Sequence, residues 1–259
     1  MMRWLRRWRG TGIAVACIGT LALATGCPKS EPSDSKPGPV AEAVELFNGK
    51  NLDGWFAQEG HGLENTWMPA AAIAVDPADA TKFVITDGEG VLVNGPTGRT
   101  CNLYCEYEHG DCEVHIEFMM AKGSNSGVYF LGCYELQILD SYGKDEVGYS
   151  DCGGIYARWI DEKEADGHAP LVNASKAPGE WQTFDVTFRA PRFDADDKKI
   201  ENARFVKVLL NDTLVQDDVE LNGQTRAPLL PEEGPRGPLM LQGDHGPVAF
   251  RNIRVTPLE

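Results

Sequence analysis

The chain has 259 residues, of which 24 are Lys or Arg and 39 are Asp or Glu, so its formal net charge is −15 at pH 7. Such an acidic surface repels nucleic acid and anionic lipid headgroups, and we therefore expect no nucleic-acid partner. Solubility is the favoured explanation of the acidic composition, and attraction of cations or cationic substrates is the alternative.

The first 26 residues have the order of a signal peptide. Arginines in the first nine residues precede an apolar stretch at 13–24, and small residues then lead directly into Cys27. A membrane-spanning helix needs about 20 apolar residues, so this shorter stretch favours cleavage over an uncleaved anchor. We expect a signal peptide at 1–26, a lipid on Cys27 and an exported, membrane-anchored lipoprotein of the cell envelope, in the periplasm or at the cell surface.

A short linker precedes the folded part. Residues 28–40 are mostly Pro, Ser, Lys, Asp, Glu and Gly, a composition that buries little and stays flexible. The lipidated Cys27 and this stretch therefore form the linker segment 27–40. No repeat or further low-complexity segment follows, and the remaining length suits one domain at 41–259.

The folded part has the periodicity of β-strands. Residues 112–120 read CEVHIEFMM, in which Val114, Ile116 and Phe118 alternate with polar residues, as in a strand with one buried face. Similar runs occupy 127–131, 134–139, 184–189, 203–210, 214–219, 238–242 and 249–255. Asn211-Asp212-Thr213 is typical of a hairpin turn. Long helical patterns are absent, so the sequence predicts an all-β fold, a two-sheet antiparallel jelly-roll sandwich.

Five cysteines lie in the domain at 41–259: Cys101, Cys105, Cys112, Cys133 and Cys152. An exported location permits disulfides, but an odd number leaves at least one thiol unpaired. The first three of them, together with His109, are loosely spaced like a zinc site but contain no CxxC pair. A local disulfide or plain buried thiols are the favoured interpretations.

Polar and aromatic residues gather around the run 134–140. In a strand, Glu135 and Gln137 share one face while the apolar residues share the other, and Asp140 ends the run. Aromatic residues are frequent nearby: Tyr129, Tyr134, Tyr142, Tyr149, Tyr156 and Trp159. Aromatic rings stack on sugars while amides and carboxylates bind their hydroxyls, so we expect a carbohydrate partner. The alternatives are a solvated outer face for Glu135 and Gln137, a turn cap for Asp140 and ordinary core packing for the rings.

Five segments together resemble one known family. They are LFNGKNLDGW (46–55), NSGVYFLGCYELQILDSYG (125–143), DCGGIY (151–156), APGEWQTFDVTFRAPRFD (177–194) and LQGDHGPVAFRNIRV (241–255). In this order they resemble the 3-keto-disaccharide hydrolase domain family, whose fold is a concanavalin A-like jelly roll. The resemblance implies a carbohydrate-active enzyme that cleaves glycosides oxidised to a ketone at carbon 3.

A 3-ketone acidifies the proton on carbon 2, so a base can remove it, an enolate can expel the aglycone from carbon 1, and water can add back. The matched motifs offer Glu135 and His245 as bases, with substrate-binding residues Gln137, Asp140, Tyr156, Gln242 and Arg251. Gln137 and Arg251 are the donors to an oxyanion or hydroxyl. A divalent cation is the one cofactor candidate, with Asp140 as its ligand.

Each assignment has a structural alternative. Arg251 pairs equally well with an acidic neighbour across a sheet, and His245 suits a surface or capping position in its Gly-rich turn. Asn125-Ser126-Gly127 has the composition of a tight turn, and Trp55 and Trp181 suit the core. A non-catalytic, lectin-like carbohydrate-binding module, an adhesion protein without a site and an ordinary glycosidase are the alternative functions. An ordinary glycosidase needs two carboxyls flanking the bond.

Overall fold

The structure, a computed structural model, describes residues 41–60 and 62–258. In these ranges every regular element is a β-strand, and none contains a helix long and apolar enough to cross a membrane. The predicted signal peptide, Cys27 and the linker lie outside the described residues. In chain order the strands are β1 Val44–Glu45, β2 Trp55–Ala57, β3 Met68–Val75, β4 Phe83–Val93, β5 Leu103–His109, β6 Cys112–Met120, β7 Asn125–Phe130, β8 Tyr134–Leu139, β9 Arg158–Ile160, β10 Lys163–Ala165, β11 Gln182–Arg189, β12 Arg192–Phe193, β13 Lys199–Glu201, β14 Ala203–Leu210, β15 Thr213–Leu221, β16 Gly237–Leu241 and β17 Val248–Pro257.

The strands form two large antiparallel sheets. Sheet A has eight strands in the order β15-β14-β11-β6-β17-β4-β3, with β1 paired to β17, and sheet B has five in the order β2-β5-β16-β7-β8. Two further pairs, β9 with β10 and β12 with β13, are separate two-stranded sheets. The predicted all-β jelly-roll sandwich is therefore confirmed, with neighbours in each sheet often far apart in sequence.

Alternation along single strands explains which face each sheet buries. In β6, Cys112, Val114, Ile116 and Phe118 are buried, while the intervening residues point to the opposite face of the sheet. The rings of Phe118 and Phe184 lie 4.8 Å apart between their centroids. Each fully buried side chain of this size contributes about 1.5–3 kcal/mol, so a shift of one residue in register would be strongly unfavourable.

The two sheets meet in an aromatic core. Phe130 of β7 lies 5.1 Å from Phe188 of β11 and 5.0 Å from Phe205 of β14, measured between ring centroids. Tyr134 of β8 joins them at 5.9 Å from Phe188. Since alternate residues of β7 and β8 supply this core, the intervening residues of both strands are directed away from it.

The hairpin predicted at Asn211 is present. Strand β14 ends at Leu210 and β15 begins at Thr213, and the two residues between them, Asn211 and Asp212, have φ of 52° and 63°. Two consecutive residues in the left-handed region are what a two-residue hairpin of the favoured twist requires.

Strand β4 is not among the predicted strand runs, and its sequence contains a turn-like segment. Residues 87–90 read DGEG, yet they form a wide bulge opposite Ala71, between the register pairs Ala70↔Val91 and Ala72↔Thr86. A Cβ on Gly88 would lie 2.5 Å from the Ala71 Cβ. Glycine here therefore permits close approach of two strands instead of reversing the chain.

Candidate active site

A cavity of about 280 Å³ opens on the face of sheet B that is directed away from the core. We call it the site pocket. Its lining residues are Asn125, Tyr129, Glu135, Gln137, Tyr156, Arg226, Ala227, Gln242 and His245. The structure thus brings together five of the residues that the sequence predicted for a site, which are Glu135, Gln137, Tyr156, Gln242 and His245.

Strand pairing between β7 and β8 positions the floor of the pocket. Tyr129 lies opposite Glu135, and Gly127 lies opposite Gln137. Directly paired residues of antiparallel strands share a face, so Tyr129, Glu135 and Gln137 all project into the pocket. The expectation that Glu135 and Gln137 project together is confirmed, but both are buried, so the alternative of a solvated outer face is wrong.

Gly127 makes room for the carboxyl group. A Cβ added at Gly127 would lie 2.3 Å from Glu135 Oε1, so any side chain there would displace the Glu135 carboxyl from its position. The segment Asn125-Ser126-Gly127 was predicted as a tight turn entering a strand, but all three residues already belong to β7. The absence of a side chain at Gly127 permits close packing of the Glu135 carboxyl, and Asn125, for which a turn was preferred to a substrate contact, also lines the pocket.

Glu135 is a carboxyl group held away from water. Burial raises its pKa to about 8, the nearby Asp244 carboxylate contributes in the same direction, and a hydrogen bond from Tyr129 opposes the shift. Loss of hydration penalises the charged form of a buried acid. At pH 7 the group is therefore mostly neutral, and it can donate a hydrogen bond as well as accept one.

Tyr129 connects this carboxyl to the main chain. Its Oη lies 2.8 Å from Glu135 Oε2 and 3.2 Å from the carbonyl oxygen of Arg226. Burial raises the pKa of Tyr129 well above its ordinary value, so the hydroxyl keeps its one proton. When Glu135 is ionised, Tyr129 donates to the carboxylate; when Glu135 is neutral, the acid can donate to Tyr129 while Tyr129 donates to the Arg226 carbonyl.

Two amide oxygens in the pocket have no hydrogen-bond partner. Gln137 donates through Nε2 to Asn125 Oδ1 at 2.9 Å, but Oε1 of Gln137 and Oε1 of Gln242 are buried and unpartnered among the described residues. Leaving a buried polar atom unpaired costs about 1–3 kcal/mol. Both atoms are acceptors, so a ligand that brings hydroxyl groups would satisfy them.

The loop between β16 and β17 brings a histidine to the rim. His245 Nδ1 lies 2.5 Å from Asp244 Oδ1, and the imidazole is half exposed. The buried Asn94 fixes this loop by donating to the carbonyls of Gly243 at 3.0 Å and Gly246 at 2.9 Å. A carboxylate at Nδ1 holds the proton there and leaves the Nε2 lone pair available as a base. Asp244 was not among the predicted site residues. Its position directly before His245 in the sequence was the signal that could have identified it as the partner of this histidine.

Tyr156 and Arg226 also line the site pocket. Tyr156 is placed by main-chain pairing, since its N–H donates to the Glu135 carbonyl at 3.1 Å. The Arg226 N–H donates to the Ala157 carbonyl at 2.9 Å, which brings a loop more than sixty residues further along the chain to the same pocket. No sequence pattern marks Arg226 because it lies in an irregular segment outside any strand.

Asp140 does not reach the site pocket. Its Oδ2 accepts a hydrogen bond of 2.8 Å from the Gly123 N–H, and it follows the last residue of β8. The structure therefore corrects its assignment as a substrate-binding residue in favour of the turn-cap alternative. No group of three or more metal-ligating side chains occurs within residues 41–60 and 62–258, so Asp140 has no partner ligands for a cation there.

Arg251 is also placed elsewhere, on sheet A. Its guanidinium bonds Glu117 at 2.7 Å through both Nε and Nη2 and covers the Trp181 ring at 4.0 Å from the centroid. Arg251 and Glu117 are register partners on β17 and β6. The ion pair with an acidic neighbour on the adjacent strand of the same sheet is confirmed. The assignment of Arg251 as a donor to substrate is wrong because the two sheets separate it from the pocket.

The cysteines are plain buried thiols. All five, Cys101, Cys105, Cys112, Cys133 and Cys152, are free. Burial raises the pKa of Cys105 to about 11 and of Cys152 to about 12, so these thiols stay protonated and unreactive. His109 lies 3.2 Å from the Cys112 sulfur, and burial lowers the pKa of His109 to about 4.

Comparison with known proteins agrees with this architecture. The family model of the 3-keto-alpha-glucoside-1,2-lyase-like domain matches residues 42–256. A crystal structure of a candidate glycosyl hydrolase from Parabacteroides distasonis ATCC 8503 is 25% identical, with a TM-score of 0.58 over 83% of this chain and 84% of the other. Two more candidate glycosyl hydrolases from that organism have TM-scores of 0.51 and 0.54 at 20% and 16% identity, covering 84% of this chain and 100% and 94% of theirs. A search among curated proteins found no match.

Proposed function

Because the chain belongs to the family of 3-keto-alpha-glucoside-1,2-lyase-like domains, we propose that it is an enzyme that cleaves 3-keto-glycosides, 3-keto-disaccharides among them, by elimination and hydration. Family membership makes the protein carbohydrate-active, and the likeness to a candidate glycosyl hydrolase at 25% identity supports an enzyme. One observation carries the proposal: the site pocket combines a buried neutral carboxyl, a carboxylate-oriented histidine and two unpartnered amide oxygens.

The pocket suits one sugar ring. A volume of about 280 Å³ is near the lower end of about 300–1,000 Å³ for small-molecule sites. The unpartnered oxygens of Gln137 and Gln242 accept hydrogen bonds from two ring hydroxyls, and Tyr156 supplies an aromatic wall. Hydroxyl recognition by buried acceptors is selective, because a ligand lacking those hydroxyls leaves the acceptors unpaired.

The first step is removal of the carbon 2 proton, and we assign it to His245. With Nδ1 held by Asp244 at 2.5 Å, Nε2 takes the proton while the electron pair of the C–H bond forms an enolate with the ketone at carbon 3. Glu135 is mostly neutral at pH 7 because its pKa is about 8, so it is better suited to donate to the enolate oxygen than to act as the base. A buried acid kept neutral for this purpose stabilises charge where it develops.

The second step expels the aglycone. The enolate re-forms the ketone, a double bond forms between carbons 1 and 2, and the carbon 1 to oxygen bond breaks. The imidazolium of His245 returns its proton to the departing oxygen, so the enzyme ends in its starting protonation state. Water then adds across the new double bond to give the free 3-keto-sugar.

The lining of the pocket argues against an ordinary glycosidase. Glycoside hydrolysis without a ketone uses two carboxyls that flank the bond. Glu135 is the one carboxyl among the nine lining residues, and the nearby Asp244 carboxylate is paired with Nδ1 of His245 at 2.5 Å. The remaining alternative is a non-catalytic, lectin-like module, for which the unpartnered oxygens of Gln137 and Gln242 would serve binding alone.

Substrate oxidation provides the decisive experiment. The purified protein is incubated in deuterium oxide with a 3-keto-glucoside and, separately, with its parent glucoside. We expect aglycone release only from the ketone, with deuterium at carbon 2 of the product, since the abstracted proton is replaced from solvent. Equal cleavage of the parent glucoside would contradict the assignment, product without deuterium would contradict the elimination, and binding without release would indicate the lectin-like module.

We also propose, on the leader sequence alone, that the enzyme is an exported lipoprotein anchored by a lipid on Cys27. The apolar stretch and the small residues before Cys27 support processing at that residue. Replacing Cys27 with Ser should prevent lipidation, which is measured by incorporation of labelled fatty acid into the chain. Unchanged labelling of the Cys27→Ser variant would contradict this proposal.

A further inference from the structure

A second cavity contains an exposed tryptophan beside the site pocket. It has a volume of about 380 Å³, and Trp159, Asn222, Gln224 and Glu232 are among its lining residues. Trp159 lies on the hairpin of β9 and β10 and is 49% exposed. An exposed indole surrounded by amide and carboxylate groups has the composition of a surface that stacks on one ring face and binds hydroxyls at the ring edge.

Arg226 links the site pocket to Trp159 of the second cavity. It lines the site pocket, and its guanidinium carbon lies 4.2 Å from the centroid of the Trp159 ring. Cation–π stacking of this kind contributes about 0.5–1 kcal/mol at exposed positions. The indole is thus held one guanidinium away from the pocket in which we place the keto-sugar.

A second set of contacts ties the hairpin to the pocket wall. Glu164 lies opposite Trp159 in the hairpin register, and it binds both Arg226, at 3.4 Å, and the hydroxyl of Tyr149. The Tyr149 ring packs edge-on against Tyr156 at 5.6 Å between centroids. Both sides of the hairpin are therefore anchored to residues of the site pocket, which gives Trp159 a defined position relative to it.

We infer that Trp159 forms the subsite for the leaving half of the substrate, and that its occupant is a second pyranose ring. This inference rests on the proposed function, which places the oxidised ring in the site pocket. A glycosidic bond joins two rings at van der Waals distance, so the aglycone ring lies next to that pocket. The cavity around Trp159 adjoins it across Arg226 and offers polar groups for hydroxyls, which a purely apolar aglycone would leave unpaired.

Truncating the aglycone and the tryptophan in turn tests the inference. The full-length protein and its Trp159→Ala variant are assayed on a 3-keto-disaccharide and on methyl 3-keto-glucoside, which lacks the second ring. We expect Trp159→Ala to lower kcat/KM about tenfold on the disaccharide, as loss of one aromatic stacking contact implies, and to change it less than about twofold on the methyl glycoside.

Two further variants control for folding and for surface effects. Trp159→Phe keeps a flat ring and should recover most of the disaccharide activity. Phe56→Ala removes another exposed aromatic, 45% exposed on β2, the edge strand of sheet B furthest from β8, and should change neither substrate. Equal losses on both substrates, or no loss on either, would overturn the inference.

Failure of the proposed function is distinguishable from failure of this inference. If the wild-type protein cleaves no 3-keto-glycoside, the proposed reaction is wrong, and the subsite is then judged by calorimetric binding of an unoxidised disaccharide and of methyl glucoside. A preference for the disaccharide that Trp159→Ala abolishes would still support the subsite. Equal binding of the two ligands by the wild-type protein would overturn it.

Discussion

Strands β6 and β8 present similar polar residues on the faces directed away from the core, but the burial and the hydrogen bonding of these residues differ. On β6, Glu117 binds Arg251 and Asn252, and His115 lies 2.7 Å from Asp185. On β8, Glu135 is buried with a raised pKa, and Gln137 has an oxygen without a partner. The polar groups of β6 are satisfied by the protein, whereas those of β8 are complete only with a ligand.

The difference shows what distinguishes a site from a polar sheet face in this molecule. Each face has a histidine paired with a carboxylate, at 2.7 Å for His115 with Asp185 and 2.5 Å for His245 with Asp244. Only the second pair lies beside a buried acid and unpartnered acceptors. Two of the four buried, unpartnered side-chain atoms of the described residues, Oε1 of Gln137 and Oε1 of Gln242, line the same pocket. Burial without protein partners is costly for stability, so two such acceptors beside a buried acid indicate function.

The largest expected effect distinguishes the two histidine pairs. His245→Ala should lower kcat on a 3-keto-glucoside about 10³-fold, because loss of a general base typically costs about 10²–10⁴-fold. The matched variant His115→Ala should stay within about twofold of wild type by the same measure. Asp244→Asn, which disturbs the tautomer, should lower kcat about tenfold with KM unchanged. Equal losses in the two histidine variants would remove the distinction.

Replacing Glu135 and replacing Glu117 with glutamine should change the free energy of unfolding in opposite directions. Glu135 has a pKa of about 8 in the folded protein and an ordinary pKa of 4.5 in the unfolded chain. Between these two values the unfolded chain ionises while the folded protein stays neutral, so the stability of the wild-type protein falls as pH rises from 4.5 to about 8. Glu135→Gln should therefore raise the free energy of unfolding at pH 9 by on the order of 3 kcal/mol, and by little at pH 4.

Glu117→Gln is the matched control on β6. Burial alone would raise the pKa of Glu117, but hydrogen bonds from Asn252 and Arg251 lower it overall. Its contribution is therefore present above the ordinary pKa and lost as pH falls. This variant should lower stability at pH 7 by about 1 kcal/mol. Urea unfolding at each pH measures the free energy of unfolding of both variants. A Glu135→Gln variant less stable than wild type at pH 9 would contradict the conclusion that burial raises the pKa of Glu135.

The smallest expected effect is on the pH profile of the reaction. If neutral Glu135 donates to the enolate, kcat should fall about tenfold between pH 7 and pH 9, because the group ionises through a pKa of about 8 and a tenfold loss follows each unit above it. Glu135→Gln should flatten this alkaline limb because an amide donates at every pH. A profile in which activity instead rises through pH 8 would identify Glu135 as the base.

Local alternation in the sequence was enough to predict eight of the seventeen strands and which side chains share a face in them. The bounds of β6, β8 and β14 agree with the prediction, because apolar residues at every second position indicate the buried face of a strand. The same rule placed Glu135 and Gln137 together. It could not say that this face is buried, since burial depends on segments near Tyr156, Arg226 and His245 that pack over it from other parts of the chain.

Tertiary structure alone decided which polar residues meet. Arg251 and Asp140 belong to matched motifs, yet register pairing commits Arg251 to Glu117 and the turn at Gly123 occupies Asp140. Arg226 belongs to no motif, yet its loop reaches the pocket by pairing with Ala157. Hydrogen bonds and burial act over a few ångströms between residues that lie far apart in sequence, so the family and the fold follow from the chain, while the membership of the site follows from long-range pairing.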